Sequence, residues 1–320
     1  VEIAVADPQR PRRFSQPYSA REAIRWIVKN VTGPPRPRFS LVTVGPDVVL
    51  NPVVPALSVA FIGDVLPPRR VTIMVAPEVR AFIRSADWLV ANLEGPVVDG
   101  PVPWVFMGQP HRPAILDLLG GLAPPERTVV LCANNHAADY GRRVHEKSLE
   151  FLRRHDILCA GDRTAPTVSL TPDVSVTAGT AWSNHRQEFL APLPVVPPEG
   201  GRFRILSPHW GYELETVPRP VQVEQGERWL RTWDAVVGHH SHTPQPVTAL
   251  RVGTLGRPMA YSLGNFTFAH DLAHHRRGRI LRMEIGPTSR GAWGVGRMQW
   301  MSIRLRFDGG RRASVVPDGA

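Results

Sequence analysis

The chain has 320 residues, 42% of them hydrophobic and 21% charged, enough to bury one large core or two small ones. Its formal charge is +10, its pI is about 10.8, and of its 38 basic residues only Lys29 and Lys147 are lysine. Two cysteines, Cys132 and Cys159, exclude a disulfide framework and read as buried thiols within apolar runs. No apolar run approaches the roughly 18 residues that span a membrane, and the polar, arginine-rich start carries no signal-peptide core. A cytoplasmic location is therefore expected. The arginines are scattered, without an RNA-binding, zinc-finger or helix-turn-helix pattern, so a solvated basic surface is expected rather than nucleic-acid binding.

Residues 1–55 read as an N-terminal extension to one main domain over 56–320. A flexible lead is followed by a short helix opening at Ser19, with Ala23, Ile24, Ile27 and Val28 at helical spacing. Gly33-Pro34-Pro35 breaks it. Two β-rich runs, Leu41–Val44 and Val48–Leu50, flank Gly45-Pro46-Asp47 and predict a hairpin.

From Leu57 a grammar of buried strand, polar strand end and helix begins. Strands are predicted at 57–62, 88–91, 129–132, 157–159, 203–206 and 235–237. Helices are predicted near 77–85, 113–119, 141–155 and 222–233, the last presenting Gly226, Trp229, Leu230 and Trp233 on one face. The final third is β-rich: 259–263, 280–285 and 298–307, then a turn at Asp308-Gly309-Gly310 into 313–316. The class is α/β with an antiparallel β-rich tail.

Ligands of open α/β sheets bind outside the carboxyl ends of strands. Five such ends here carry metal-competent side chains: Gly63-Asp64, Asn92 and Glu94, Asn134-Asn135-His136 with Asp139, His209 with Glu213, and Gly238-His239-His240-Ser241-His242. Each alone is more simply a turn, a cap or a packed surface pair. Together, in one register, they predict a shared pocket. His240 and His242, two apart, would point the same way from an extended backbone. Oxygen and imidazole donors without nearby cysteine suit Mn, Fe or Zn. His111, His145, His155 and His185 lack such neighbours and read as surface residues. Arg276, Arg277 and Arg279 read as a solvated loop, with a polyanion-gripping lid as the alternative.

Six segments in order, AFIGDVLPPR, DWLVANLEGPV, LCANNHAADYG, SPHWGYELETVPRPVQ, AVVGHHSHTPQPV and YSLGNFTF, cover roughly residues 57 to 268. In these the chain resembles the CapA family (PGA_cap) of bacterial capsule and poly-γ-glutamate synthesis proteins, within the calcineurin-like metallophosphoesterase superfamily. The resemblance implies a metallophosphoesterase-like β-sandwich flanked by helices, four layers in the order α/β/β/α. It implies Asp64, Glu94, Asn135, His209, His240 and His242 as metal ligands for one or two divalent ions. It implies His136 as the catalytic histidine and Arg69 as a holder of an anionic substrate group. Asp139 or Glu213 would orient a neighbouring imidazole, and Asn265 would line the site.

The chain departs from the broader superfamily in reading Asp64-Val65-Leu66 where Asp-x-His is usual, which leaves one metal position short of a ligand. Pro67-Pro68 stiffens the loop before Arg69. The function implied is hydrolysis by a metal-activated water of a phosphoester or an amide (γ-glutamyl-type) bond in an anionic substrate. The alternatives are a non-catalytic accessory binding an anionic polymer in capsule synthesis, and a soluble secondary-metabolite enzyme acting on an amide bond.

Overall fold

The computed structural model describes residues 18–37, 39–68, 70–193, 197 and 199–319. In chain order the elements begin with α1 (Ala20–Thr32), β1 (Asp47–Val49), β2 (Leu57–Val65), β3 (Thr72–Val75), α2 (Pro77–Arg84) and β4 (Trp88–Leu93). There follow α3 (Ile115–Gly120), β5 (Thr128–Leu131), α4 (Arg142–Arg154), β6 (Leu158–Ala160), β7 (Thr167–Ser169), β8 (Val174–Thr180) and β9 (Phe203–His209). The last are α5 (Pro220–Trp229), β10 (Ala235–Val237), β11 (Val247–Val252), β12 (Leu255–Ala260), β13 (Asn265–Thr267), β14 (Arg277–Pro287), β15 (Trp293–Gly309) and β16 (Arg312–Pro317).

The strands form two sheets. The first runs β3-β16-β15-β14-β2-β4-β5-β6, with β1 added on β15 and β13 on β2; the second runs β11-β12-β10-β9-β8-β7. Strands β2, β4, β5 and β6 are parallel, as are β8, β9, β10 and β12. Parallel strands buried on both faces read as continuous apolar runs, which is how β2, β4, β5 and β10 look in the sequence.

Three apolar layers hold the sheets and helices together. Val59, Phe61, Val90 and Leu131 of the first sheet meet Val174, Val176, Ile205 and Val237 of the second. Residues of opposite parity on the first sheet, Ala60, Ile62, Leu89 and Val130, face Val79 and Ile83 of α2, Leu119 of α3, and Leu149 and Leu152 of α4. Leu206, Val236 and Met259 on the outer face of the second sheet take Trp229, Leu230 and Trp233 at the end of α5 and just beyond. The architecture is therefore the expected four layers, helices, sheet, sheet, helix. Each fully buried large apolar side chain, such as Phe61 or Phe203, contributes about 1.5–3 kcal/mol.

Several local expectations are corrected. The hairpin over 41–50 does not form: β1 pairs antiparallel with β15, and the Val44 N–H donates instead to Val247 O, at 2.9 Å. The helix expected over 222–233 begins at Pro220 and ends at Trp229, because proline suits a first helical turn whose N–H would be unpaired. Arg276, Arg277 and Arg279 are not a free loop. Arg277 and Arg279 begin β14, Arg276 lies over the Phe307 ring, and the Arg279 guanidinium lies 4.1 Å from the Trp300 ring centroid. His111 and His145 are buried, not on the surface. Both cysteines are free and buried, as expected. Among the described residues no helix is long and apolar enough to cross a membrane.

Candidate metal centre

The carboxyl ends of the parallel strands in both sheets meet at one rim. Asp64, near the end of β2, is fixed by a backbone bond from its N–H to Gly264 O, at 2.8 Å. Gly63 before it must be glycine, because a Cβ there would sit 2.2 Å from the same carbonyl. Glu94 follows β4 and its N–H donates to Val65 O. Asn134, Asn135 and His136 follow β5, where Asn134 Nδ2 ties the turn to Leu93 O at 2.8 Å. His209 ends β9.

The segment after β10 is not extended. His240 and His242 both have positive φ, 93° and 55°, a conformation that costs a non-glycine residue free energy and collects at functional sites. The expectation that an extended backbone aligns them is corrected: two left-handed residues turn the loop so that both rings face the pocket. The loop is pinned by Leu214 N–H donating to Ser241 O and by Ser241 Oγ donating to Thr243 O, each at 2.7 Å. A Cβ on Gly238 would lie 2.1 Å from Tyr261 O, so only glycine lets the loop leave β10 here.

Glu94, His240 and His242 each offer one donor atom within 4.8 Å of the others, all buried. Both Glu94 oxygens and both His240 nitrogens are buried without a hydrogen-bond partner. Buried polar atoms are ordinarily paired, and an unpaired carboxylate beside an unpaired imidazole, with one donor atom from each converging with one from His242, fits a cation. His209 Nε2 lies 2.8 Å from Asn135 Oδ1 and 3.8 Å from Glu94 Oε1, so these two expected ligands reach the same pocket. His242 turns Nδ1 to Asn265 Oδ1 at 2.9 Å, which leaves Nε2 facing Glu94 Oε1 at 3.5 Å; an imidazole oriented through its other nitrogen is the usual arrangement of a ligand.

Asp64 lies in the pocket but is already engaged. It accepts from Asn92 Nδ2 at 2.8 Å and from His240 N–H at 3.1 Å, and stands 3.3 Å from both His239 Nδ1 and His242 Nδ1. In this arrangement both of its oxygens already have hydrogen-bond partners. His136 and Asp139 form a pair, with Nδ1 2.8 Å from Oδ2, and the same oxygen accepts from Gln109 N–H. Arg69 lies outside the described residues.

Electrostatics follow from burial. Burial pushes Glu94 above the carboxylate range, with the nearby Asp64 charge adding to it and the His242 charge offsetting part. Burial also opposes ionisation of Asp64, but hydrogen bonds and charge from His239 and His242 outweigh it and hold the carboxyl well below its usual range. Burial holds His240 down at about 4, so at neutral pH its ring is neutral and has a lone pair to give. His136 is raised: burial opposes its charge, and the Asp139 carboxylate overrides that.

Four residues outside the implied ligand set matter here. His239 bridges Asp64 and Ser207 Oγ, the latter at 3.2 Å. Asn92 holds Asp64, Asn134 holds the β4 end, and His111 is wholly buried with its pKa pushed down to about 3 by that burial. His239, Asn92 and Asn134 stand within the strand-end clusters, so their position is the available signal; nothing in the sequence around His111 marks it. Glu213, expected as an orienting group, has its N–H donating to Tyr18 Oη at 2.8 Å, while its carboxylate accepts from the Trp26 indole.

The family model described as bacterial capsule synthesis protein PGA_cap matches residues 58–181 and 197–270. The chain belongs to the PGA_cap family.

The matched blocks contain every strand end that lines the pocket. Over 272 residues this PGA_cap chain is 25% identical to the PGA biosynthesis protein CapA of Bacillus subtilis (strain 168), covering 75% of this chain and 70% of that protein. Over 251 residues it is 24% identical to the capsule biosynthesis protein CapA of Bacillus anthracis, covering 66% of this chain and 60% of that protein. A crystal structure of a hypothetical protein from Thermus thermophilus superposes with a TM-score of 0.44 at 14% identity, over 77% of this chain and 99% of that one, too loosely to bear on fold or function.

Proposed function

We propose that this PGA_cap chain is a divalent-cation-dependent hydrolase acting on a phosphoester or amide bond, of γ-glutamyl type, in an anionic substrate. The observation that carries the reading is the buried Glu94–His240–His242 cluster with its orphaned donor atoms, together with the buried His136–Asp139 pair that directly follows Asn135. Glu94, His240 and His242 would hold the ion, with His209 and Asn135 completing the set. The mixed oxygen and nitrogen donors suit Mn, Fe or Zn.

A bound divalent ion supplies Lewis-acid activation of water and of the scissile group. The remaining chemistry belongs to the chain. Asp139 Oδ2 holds His136 Nδ1, so the ring presents Nε2 to the pocket and keeps a proton there above the ordinary histidine range. His136 can then protonate the leaving oxygen or nitrogen, a role worth about 10²–10⁴-fold in rate. Asp64 accepts from the His240 backbone N–H and stands beside the His239 and His242 rings, so that the imidazoles need not reorganise as the reaction proceeds.

The test is turnover of a chromogenic phosphoester and of a γ-glutamyl anilide by metal-reconstituted protein. The proposal expects hydrolysis of at least one by the wild type, and its loss in His136→Ala with metal content unchanged. No turnover with a fully loaded centre would remove the hydrolase reading. The names of the two Bacillus relatives favour a second reading, an accessory protein that binds an anionic polymer in capsule or poly-γ-glutamate synthesis; it expects polymer binding without turnover, unaffected by His136→Ala.

A further inference from the structure

Helix α1 is amphipathic but turned the opposite way from a core helix. Surface helices put their apolar stripe on the protein and their polar face in water. Here Glu22, Trp26 and Lys29 face the body. Glu22 accepts from Arg219, the Trp26 indole donates to the Glu213 carboxylate, and Lys29 Nζ donates to Glu213 O at 2.7 Å and Glu215 Oε1 at 3.3 Å. His274 Nε2 reaches Asn30 O at 3.1 Å, a further tie near the helix end. The helix is therefore held by these polar contacts and a Ser19–Glu22 capping box.

Its apolar residues Ile24, Ile27, Val28 and Val31, spaced i, i+3, i+4 and i+7, are 64%, 58%, 53% and 70% exposed. Arg21 and Arg25, both exposed, flank that stripe. Glu22, the one acidic residue of the helix, is turned inward to Arg219, so the outward face carries no acidic group.

We propose that α1 is an interfacial docking helix whose apolar stripe seats in the headgroup boundary of an anionic lipid bilayer, with Arg21 and Arg25 pairing with lipid phosphates. An apolar face with a cationic flank is what such a surface takes up, and the net charge of +10 draws the whole chain toward it. One four-residue stripe falls well short of the roughly 800 Å² per partner that a stable protein dimer buries, so a second copy is the poorer occupant. The inference does not rest on metal chemistry, and its failure leaves the metal centre untouched. It does place that centre: the inner face of α1 grips Glu213, on the segment that follows His209, and the next residue, Leu214, donates its N–H to Ser241 O between His240 and His242, so a docked helix holds the pocket rim close to the bilayer.

The test is co-sedimentation of the full chain with vesicles of phosphatidylcholine alone and of phosphatidylcholine mixed with phosphatidylglycerol. Wild type should partition onto the mixed vesicles, more weakly in high salt, and little onto phosphatidylcholine. Ile27→Ser/Val31→Ser should lose roughly tenfold or more of that partition, with an unchanged far-UV spectrum and melting temperature, because both side chains are exposed. Arg21→Glu/Arg25→Glu should abolish the preference for phosphatidylglycerol. Wild type that stays in solution, partition equal on both vesicles, or a serine variant that binds as well as wild type overturns the proposal. So does a concentration-dependent dimer in lipid-free sedimentation that Ile27→Ser dissociates, which would make the stripe an interface between copies.

Discussion

The two walls of the pocket differ in chemistry and in backbone state. The first sheet delivers oxygens, Asp64, Glu94 and Asn135, from strand ends whose turns are braced by Asn92 and Asn134. The second delivers nitrogens, His209 and the His240–His242 loop, and its loop is strained, with positive φ at both histidines and both His240 nitrogens unpaired. On the oxygen wall Asp64 and Asn135 have partners within the protein and the Glu94 carboxylate does not. On the nitrogen wall His209 and His242 have partners and His240 does not, and there the desolvation of the unpaired ring adds to the backbone strain, a combined cost that a bound cation would offset. A centre divided between two sheets forms only after they have packed, so cation binding should report on the whole sandwich.

Five outcomes would break or sharpen that contrast. The largest effect is expected in turnover: His136→Ala should cost about 10²–10⁴-fold while keeping the metal, read by steady-state kinetics beside elemental analysis. On the nitrogen wall, His240→Ala should weaken cation affinity beyond the ~10–100-fold typical of removing an outer partner, by titration calorimetry on stripped protein. Asp64→Asn on the oxygen wall should stay within that ~10–100-fold if Asp64 orients imidazoles, and exceed it if it ligates. Cation at about a hundred times its dissociation constant should stabilise the fold by about 2.7 kcal/mol, whereas Gly238→Ala should cost about 1–3 kcal/mol from the clash with Tyr261 O; denaturant melts measure both.

The pH profile gives a check with a definite sign. Asp139 raises the His136 pKa against the opposing effect of burial. A proton-donating His136 is then active below its pKa and fails as pH rises through it. Asp139→Asn removes the raising charge, so the alkaline limb of the rate profile should move to lower pH. A limb that stays in place would assign it to another group.

Much of the first sheet is legible in the sequence because parallel strands buried on both faces leave apolar runs, as in Leu57–Ile62 and Val129–Cys132, each followed by polar strand ends. The pocket is legible for the same reason: its residues follow strands. The hairpin at 41–50 misleads because Val44 bonds to Val247, a long-range pairing that local alternation cannot reveal. The backbone of His240 and His242 misleads because their spacing fits a strand, while the turn is fixed by contacts distant in sequence, Gly238 against Tyr261 O and Leu214 N–H on Ser241 O. His111 and His145 read as surface residues because a buried histidine has no sequence signature of its own. The outward face of α1 is hidden too: its spacing shows a stripe, but not which way it points.

The central claim is most directly tested by anomalous diffraction from crystals of reconstituted protein, collected at the edges of Mn, Fe and Zn. The account predicts a strong peak within bonding distance of Glu94, His240 and His242, absent from His240→Ala crystals of the same fold. A pocket without a peak after reconstitution, or one undiminished in His240→Ala, would contradict it.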